Sequence, residues 1–472
     1  MTTFIGRQHE LSLLRDLLKK KSSSLVVIRG RRRIGKSRLA EEYSKLFPKT
    51  YSFTGLPPTA RITSQKQRDE LSKQMEQQKI TPQQNQDWSD CFFDLAQSCS
   101  QGPVLVILDE ISWMGSKDPA FLGKLKIAWD QHFKKNPELV MILSGSNSSW
   151  IEKNILSSSG FLGRVSLRLH LQELSLSECN RFWDPDKNRI AAYEKLKILS
   201  VTGGIPRYLE EILPQKTAED NIHRMCFTPE GFLFSEFDNI FSDLFSHKST
   251  QYKNIVEQLT NGPLSLSEIA EKLGREKGGD LSDYLSDLCE TNFVSRDFNW
   301  NIKTGKTGKL YRYRLSDNYL RFYLKHIEPN KNKILNSGYS NLPPAWHSIL
   351  GLSFENLVLN NKRLLFDLLK IKSQDIILAS PYYQTQTLSR KSCQIDLLIQ
   401  TKFNTLYVCE IKFEKNPIGS SIIQEVQQKI DRLALPKGFS CRSVLIHVGG
   451  VTDAVIESDY FSDIIDFTQS LD

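Results

Sequence analysis

Three groups of residues have the types and spacing to do chemistry. The first is Gly30-Arg31-Arg32-Arg33-Ile34-Gly35-Lys36-Ser37, which fits G-x-x-x-x-G-K-[ST]. In a sharp loop of this kind the backbone N–H groups from Gly30 through Arg38 can face phosphate oxygens. The N-terminus of a following helix adds partial positive charge. Lys36 would reach the β- and γ-phosphates of a nucleoside triphosphate, and the Ser37 hydroxyl would ligate Mg²⁺. The second group is Asp109-Glu110, an acidic pair that closes an apolar run. Asp109 could hold the Mg²⁺ through water, and Glu110 could polarise the attacking water. The third group is Asp396 with Glu410-Ile411-Lys412, the only Glu-x-Lys in the chain. Two carboxylates can hold Mg²⁺ through oxygen ligands, and a lysine can orient or help deprotonate a water.

The elements that must position these residues are legible around them. Leu25–Ile28 is apolar and rich in β-branched residues, and Leu39, Ala40 and Tyr43 begin a helical pattern. Strand, glycine loop and helix is the context the first motif needs. Val104–Leu108 is a continuous apolar run, as in a strand buried on both faces of a parallel sheet. Leu139–Leu143 is another, ending in Ser144, Gly145, Ser146 and Asn147. One of these polar residues senses a γ-phosphate, or they cap the next helix; both readings stand. Arg164 follows Gly163 and a Ser/Gly-rich loop. It acts as a finger on a neighbour's γ-phosphate or is an ordinary surface arginine. Residues 59–90 are polar and Gln-rich and read as helix and exposed loop inserted between strands.

Composition bounds the rest. The chain has 472 residues, enough for about three domains, and 39% of them are hydrophobic, which excludes a disordered chain. No apolar run approaches the roughly 20 residues of a membrane helix, and the N-terminus lacks a signal-peptide core. A cytoplasmic protein with no membrane partner is expected. The net charge of +8 permits nucleic-acid binding without proving it. The eight cysteines form no C-x-x-C, so reduced thiols are expected and a cysteine zinc site is not.

Further along, Ser175-Leu176-Ser177-Glu178 is a capping-box pattern that opens a helical region. Tyr252–Ser295 reads as three short helices, marked by Ile255, Val256 and Leu259, by Leu266, Ile269, Ala270 and Leu273, and by Tyr284, Leu285 and Leu288. A strand from Phe293-Val294 can pair back with Tyr311–Leu315. Three helices and a hairpin make a winged helix-turn-helix, with the third helix as recognition helix. The hairpin carries Lys303, Lys306 and Lys309, then Arg312 and Arg314 with Tyr311 and Tyr313 interleaved. That pattern suits phosphate contact plus stacking. Winged helices also dock proteins, so a protein partner is the other reading. After a polar, proline-marked linker, Trp346 to Leu369 looks helical, with Glu355 conspicuous inside an apolar pattern. Gln394–Ile399 alternates like a strand, 401–405 turns, and Leu406–Phe413 is the next strand. A hairpin can then bring Asp396 beside Glu410, and a helix from Ile422 to Leu433 contributes Gln424, Gln427 and Lys429 nearby.

The Phe4-Ile5-Gly6-Arg7 start, GRRRIGKS, VILDEISWM, ILSGSNSSW and the Gly163-Arg164 segment resemble the prokaryotic STAND-type AAA+ ATPases. In particular they resemble the family in which an archaeal-type ATPase domain precedes a winged helix and a nuclease-like C-terminal domain. The resemblance implies an ASCE-type α/β core with an extra strand between the P-loop and Asp109 strands. Gly203-Gly204-Ile205-Pro206 is similar to the family's Gly-x-Pro motif, in which Pro206 or Arg207 would face the nucleotide. The alternative is a helix-initiating turn with proline at its first position. Glu355, Asp396 and Glu410-x-Lys412 resemble the PD-(D/E)xK nuclease superfamily, with Ile395 where proline commonly stands. A salt-bridged hairpin without catalysis is the alternative there.

The expected fold class is therefore α/β. A P-loop ASCE/AAA+ core spans 1–175, a helical lid 176–248, a winged helix 249–325, a linker 326–345 and a restriction-endonuclease-like domain 346–472. The expected function is ATP binding and hydrolysis coupled to a Mg²⁺-dependent nuclease-like domain acting on nucleic acid, DNA first, with homo-oligomers and a protein partner open. The rival is a non-catalytic ATP-driven DNA-binding or signalling switch with a vestigial nuclease fold.

Overall fold

β-Branched and aliphatic runs build the first sheet. The strands are β1 (Ser24–Arg29), β2 (Lys49–Thr54), β3 (Val104–Asp109), β4 (Leu139–Gly145) and β5 (Val165–His170), in the order β2-β3-β4-β1-β5. Every pairing is parallel. β4 thus lies between the P-loop strand and the Asp109 strand, as the resemblance implied. Val27, Phe53, Leu108 and Leu143 are fully buried in one core, each contributing about 1.5–3 kcal/mol of burial.

The computed structural model describes residues 4–57, 59, 61–83, 87–183, 190–245, 248–276, 278–337, 342–386 and 391–471. These fall into two compact units, Met1–Gln172 and Glu173–Asp472. In the first, helix α1 (Gln8–Leu17) buries Leu11, Leu14 and Leu17, with Glu10 in its first turn. Helix α2 (Lys36–Ser44) follows the glycine loop. The Gln-rich stretch contains helix α3 (Ser64–Gln77), and α4 (Trp88–Ser98) starts on a capping box from Asp87. Three glutamines of this stretch reach the backbone beside β2. Gln78 accepts from Ser52 N–H and donates to its carbonyl, Gln74 does the same at Thr54, and Gln67 at Leu56. The stretch expected as helix and exposed loop is therefore partly a buried sheet border: Gln67 is only 2% exposed.

The second unit opens with the helix Leu176–Asn180, started by the Ser175–Glu178 capping box. Helices Ser249–Gln258, Leu266–Lys272 and Gly279–Glu290 precede a hairpin of β6 (Val294–Asn301) and β7 (Lys306–Leu315). Leu264 bridges to Tyr313, adding a third short edge. Within the stretch expected as a linker, Lys331–Ser337 is helical and Ile334 is fully buried. The helices Leu350–Asn360 and Lys362–Leu368 then lead into a second sheet. Its strands are β8 (Ile376–Gln384), β9 (Cys393–Thr401), β10 (Thr405–Ile411), β11 (Ser440–His447) and β12 (Asp463–Asp466). Their order is β12-β11-β10-β9-β8, antiparallel from β8 to β10 and parallel from β10 to β12. The helix Ser421–Arg432 connects β10 to β11. Among the described residues no helix is long and apolar enough to cross a membrane.

Candidate functional sites

The phosphate loop leaves β1 at Gly30, whose φ is +151°. A Cβ there would stand 2.8 Å from the Leu171 carbonyl oxygen, so only glycine fits the approach. Arg33 at φ +70° and Gly35 at φ +93° complete the reversal into α2. The buried Lys36 ammonium donates to the carbonyls of Gly30 at 3.0 Å and Arg31 at 3.1 Å. Burial lowers its pKa, while Glu110 and then Asp109 pull the other way.

The acidic strand end meets the loop directly. Ser37 Oγ donates to Asp109 Oδ2 at 2.7 Å, and Ser144 Oγ donates to Asp109 Oδ1 at 2.5 Å. Glu110 sits at φ +48°, a left-handed position that costs energy for a non-glycine residue. Its Oε2 accepts from the backbone N–H of Ser146 at 3.1 Å and from the Ser146 hydroxyl at 3.0 Å. At the β4 end, Ser144 and Ser146 bond the acidic pair, whereas Asn147 caps the next helix through Trp150 N–H. Hydroxyl and carboxylate oxygens gathered at Ser37 and Asp109 are hard donors that fit Mg²⁺.

The other P-loop expectations are distributed. Arg31 and Ile34 are buried, and Arg32 and Arg33 are half-buried. Arg38 pairs with Glu41 one turn along α2, at 2.9 Å. Arg164 makes a two-pronged bond to Asp130, Nε at 3.0 Å and Nη2 at 2.8 Å, and this partner holds the Asp130 carboxyl down at about 2. In the second unit, Pro206 occupies the first turn of the helix Pro206–Leu209, and Arg207 pairs with Glu210 and Glu211.

A second gathering of charge lies in the second sheet. Asp396 on β9 accepts from Ile411 N–H at 3.0 Å, which ties it to the end of β10. Glu410 is 3% exposed in its side chain, and Lys412 Nζ stands 3.2 Å from it. Lys429, from the helix Ser421–Arg432, pairs with Glu410 and lies 3.7 Å from Asp396. Lys412 also bonds Glu425 at 2.9 Å. Burial raises the Asp396 pKa and Glu410 raises it further. Burial also raises Glu355 to about 7, with the Asp396 charge adding to it. Burial depresses the Lys429 ammonium, but Asp396 and Glu410 outweigh it and hold its pKa above the ordinary value.

So Glu355, Asp396, Glu410 and Lys412 share one electrostatic neighbourhood. Among the described residues, however, no three His, Cys, Asp or Glu side chains are arranged to hold a metal ion. Asp396 and Glu410 remain a fit for Mg²⁺, which binds through one or two carboxylates and keeps its waters. Lys429, read from sequence only as nearby, is central. Gln424 and Gln427 are exposed, and Gln427 bonds Asp431 instead.

The hairpin expectation needs correcting. Arg314 is buried, pairs with Asp297 at 2.8 Å and donates to Asn356, and Tyr313 is 1% exposed. Neither can reach a phosphate or a base, because β7 runs into the core beside the helix Leu350–Asn360. Arg312 donates to the Pro263 carbonyl and lies over the Tyr383 ring. Lys303, Lys306 and Lys309 remain exposed.

Comparisons with known proteins bear on the domain that holds the first site. Residues 4–212 match the family described as an ATPase domain predominantly from Archaea. The chain is 28% identical over 362 residues to an uncharacterised protein of Methanocaldococcus jannaschii, covering 75% of this chain and 76% of that relative. A Walker-type ATPase of Pyrococcus abyssi aligns with TM-score 0.51 and 18% identity, over 68% of this chain and 96% of its own. The ORC2 protein of Aeropyrum pernix, in ADPNP–ADP complexes, gives TM-score 0.41 and 16% identity, over 70% and 94% of the two chains. Residues 4–212 are thus similar to an archaeal-type ATPase domain, and the Pyrococcus abyssi structure shows the same P-loop ATPase fold.

Proposed function

We propose that this protein hydrolyses ATP at the Lys36 site and couples its nucleotide state to a nuclease-like centre at Asp396 and Glu410. The observation that carries the first half is the convergence of Lys36 and Ser37 at the start of α2, Asp109 and Glu110 at the end of β3, and Ser144 and Ser146 at the end of β4. The loop amides and Lys36 bind and orient the phosphates. Ser37 and Asp109 would hold Mg²⁺, which when bound supplies charge neutralisation. Glu110, fixed by Ser146, orients the attacking water. Arg164 would complete the site only after leaving Asp130, in this chain or from a second copy.

The C-terminal half of the reading rests on Asp396, Glu410 and Lys412, with Glu355 as a further acid. Asp396 and Glu410 would hold Mg²⁺ there, which when bound activates water for phosphodiester hydrolysis. Lys412 orients that water. The three helices and hairpin of 249–315 support a winged-helix reading and contact with DNA. The rival switch without cleavage draws on one observation: Lys429 and Lys412 already neutralise both carboxylates.

The experiment is phosphate release and cleavage of labelled plasmid and single-stranded DNA, with Mg²⁺ or Mn²⁺ and with or without ATP. Wild type runs beside Lys36→Ala and Asp396→Asn. Turnover lost in the first and cleavage lost in the second is the expected result. Intact turnover with no cleavage under either metal selects the switch.

A further inference from the structure

The hairpin does not stand free. Asn299 exchanges hydrogen bonds with the Tyr383 backbone, and Trp300 donates to Gln400 Oε1 at 2.6 Å, which donates on to the Ile302 carbonyl at 2.8 Å. This seam joins β6 to the second sheet and leaves a groove of about 710 Å³ beside it. Three lysines line the groove: Lys303 and Lys309 from the hairpin, and Lys437 beyond the helix Ser421–Arg432. None of its lining residues is acidic, and no ion pair engages these lysines among the described residues. Between the lysines lie Leu310 and Leu435, 62% and 40% exposed.

Three unpaired cations around exposed apolar side chains answer a ligand with several negative charges and flat apolar faces. A single strand of nucleic acid has both. The groove has the volume of a small-ligand cavity. In a duplex the base faces are stacked inside and cannot reach Leu310 or Leu435, whereas an unpaired strand exposes them to these side chains. The position points the same way. Ala434 N–H bonds Gln384 on β8 at 2.9 Å, and the helix one turn earlier carries Lys429 to Glu410 and Asp396. Val408 of the core beneath the groove and Glu410 are two apart on β10 and share a face.

We infer that this groove binds single-stranded nucleic acid, phosphates on Lys303, Lys309 and Lys437, and leads the strand toward the Asp396–Glu410 centre. The inference rests on the nuclease-like reading of that centre and adds where its substrate lies and that it is unpaired.

The test uses the full chain and fluorescence anisotropy with labelled oligo-dT, oligo-rU, a duplex of equal length and poly-glutamate, across a salt series. Wild type is expected to bind the single strands in preference to the duplex. The Lys303→Glu/Lys309→Glu/Lys437→Glu variant should bind them about tenfold or more weakly, its log–log salt slope falling by about 2. Lys216→Glu, at an exposed lysine that belongs to neither the groove nor the hairpin, should change binding less than twofold. Unaltered binding in the triple variant, equal loss in Lys216→Glu, duplex preference or preference for poly-glutamate each overturns the inference. ATP turnover and Asp396-dependent cleavage of a dinucleotide ester, measured on the same variant, separate its failure from failure of the underlying reading: both persist if only the groove is wrong.

Discussion

The two charged sites solve the same electrostatic problem in opposite ways. At the first, Asp109 and Glu110 are held by neutral donors, the hydroxyls of Ser37, Ser144 and Ser146 and the backbone N–H groups of Glu110 and Ser146. At the second, Glu410 and Asp396 are met by the ammonium groups of Lys412 and Lys429. Neutral donors leave the carboxylates with their charge, so a divalent cation adds without displacing anything charged. Lysine counterions satisfy the charge in advance, so a cation must exchange with them. The comparison teaches that acidic residues at a strand end do not by themselves define a metal site; what neutralises them decides how readily one forms.

The largest expected effect tests the first site. Lys36→Ala should lower ATP turnover by about 10²–10³-fold, since a buried cation aimed at developing phosphate charge is lost. Wild-type rates of phosphate release in that variant would remove the first term of the comparison.

Next comes Glu355, whose carboxyl is pushed up to about 7 against an ordinary 4.5. Between those values the folded chain binds more protons than the unfolded one. The contribution of the protonated acid is full below 4.5 and is lost as pH rises through 7. Glu355→Gln should therefore stabilise the protein at pH 8, by up to about 3 kcal/mol. The gain should fade to nothing near pH 4.5 in thermal or denaturant melts. A gain independent of pH would place the cause outside this ionisation.

Lys429→Met sharpens the contrast between the two sites. Removing the counterion should destabilise the metal-free protein by about 1–2 kcal/mol and strengthen Mg²⁺ binding about tenfold in calorimetric titration. Weaker Mg²⁺ binding would mean that Lys429 supports the cation rather than competes with it. The smallest effect belongs to Ser146→Ala, which deletes one of two bonds to Glu110. Turnover should fall about fivefold, in keeping with about 1 kcal/mol for a single hydrogen bond, with KM for ATP unchanged.

How far the sequence spoke differs between the same two regions. The P-loop was legible because its chemistry lies within a few consecutive residues, and β1, β3 and β4 announce themselves by continuous apolar runs. The pairing of β9 with β10 was legible for a similar reason, a short turn between alternating stretches. What stayed hidden was tertiary. Lys429 reaches Glu410 across 19 positions of sequence, and no local pattern marks a helix residue as a counterion. Arg314 and Tyr313 share a basic, aromatic stretch with exposed lysines, and only the neighbouring Asn356 and Asp297 show that this end of β7 is inside. β2, β8, β11 and β12 carried no motif, so they were visible only once their partners were.

The glutamines of the 67–78 stretch carry one more consequence. An edge strand offers alternate unpaired N–H and C=O groups, an invitation to any extended chain that passes. Gln74 and Gln78 stand four apart on a helical path, a rise of about 6 Å, close to the roughly 6.6 Å between Ser52 and Thr54 along a strand. Each amide both gives and takes a hydrogen bond, as a backbone unit would. Side chains therefore impersonate a sixth strand, and this border of the ATPase sheet is closed to templated growth. A carboxylate at either position would accept but not donate, and would reopen half of the door to aggregation.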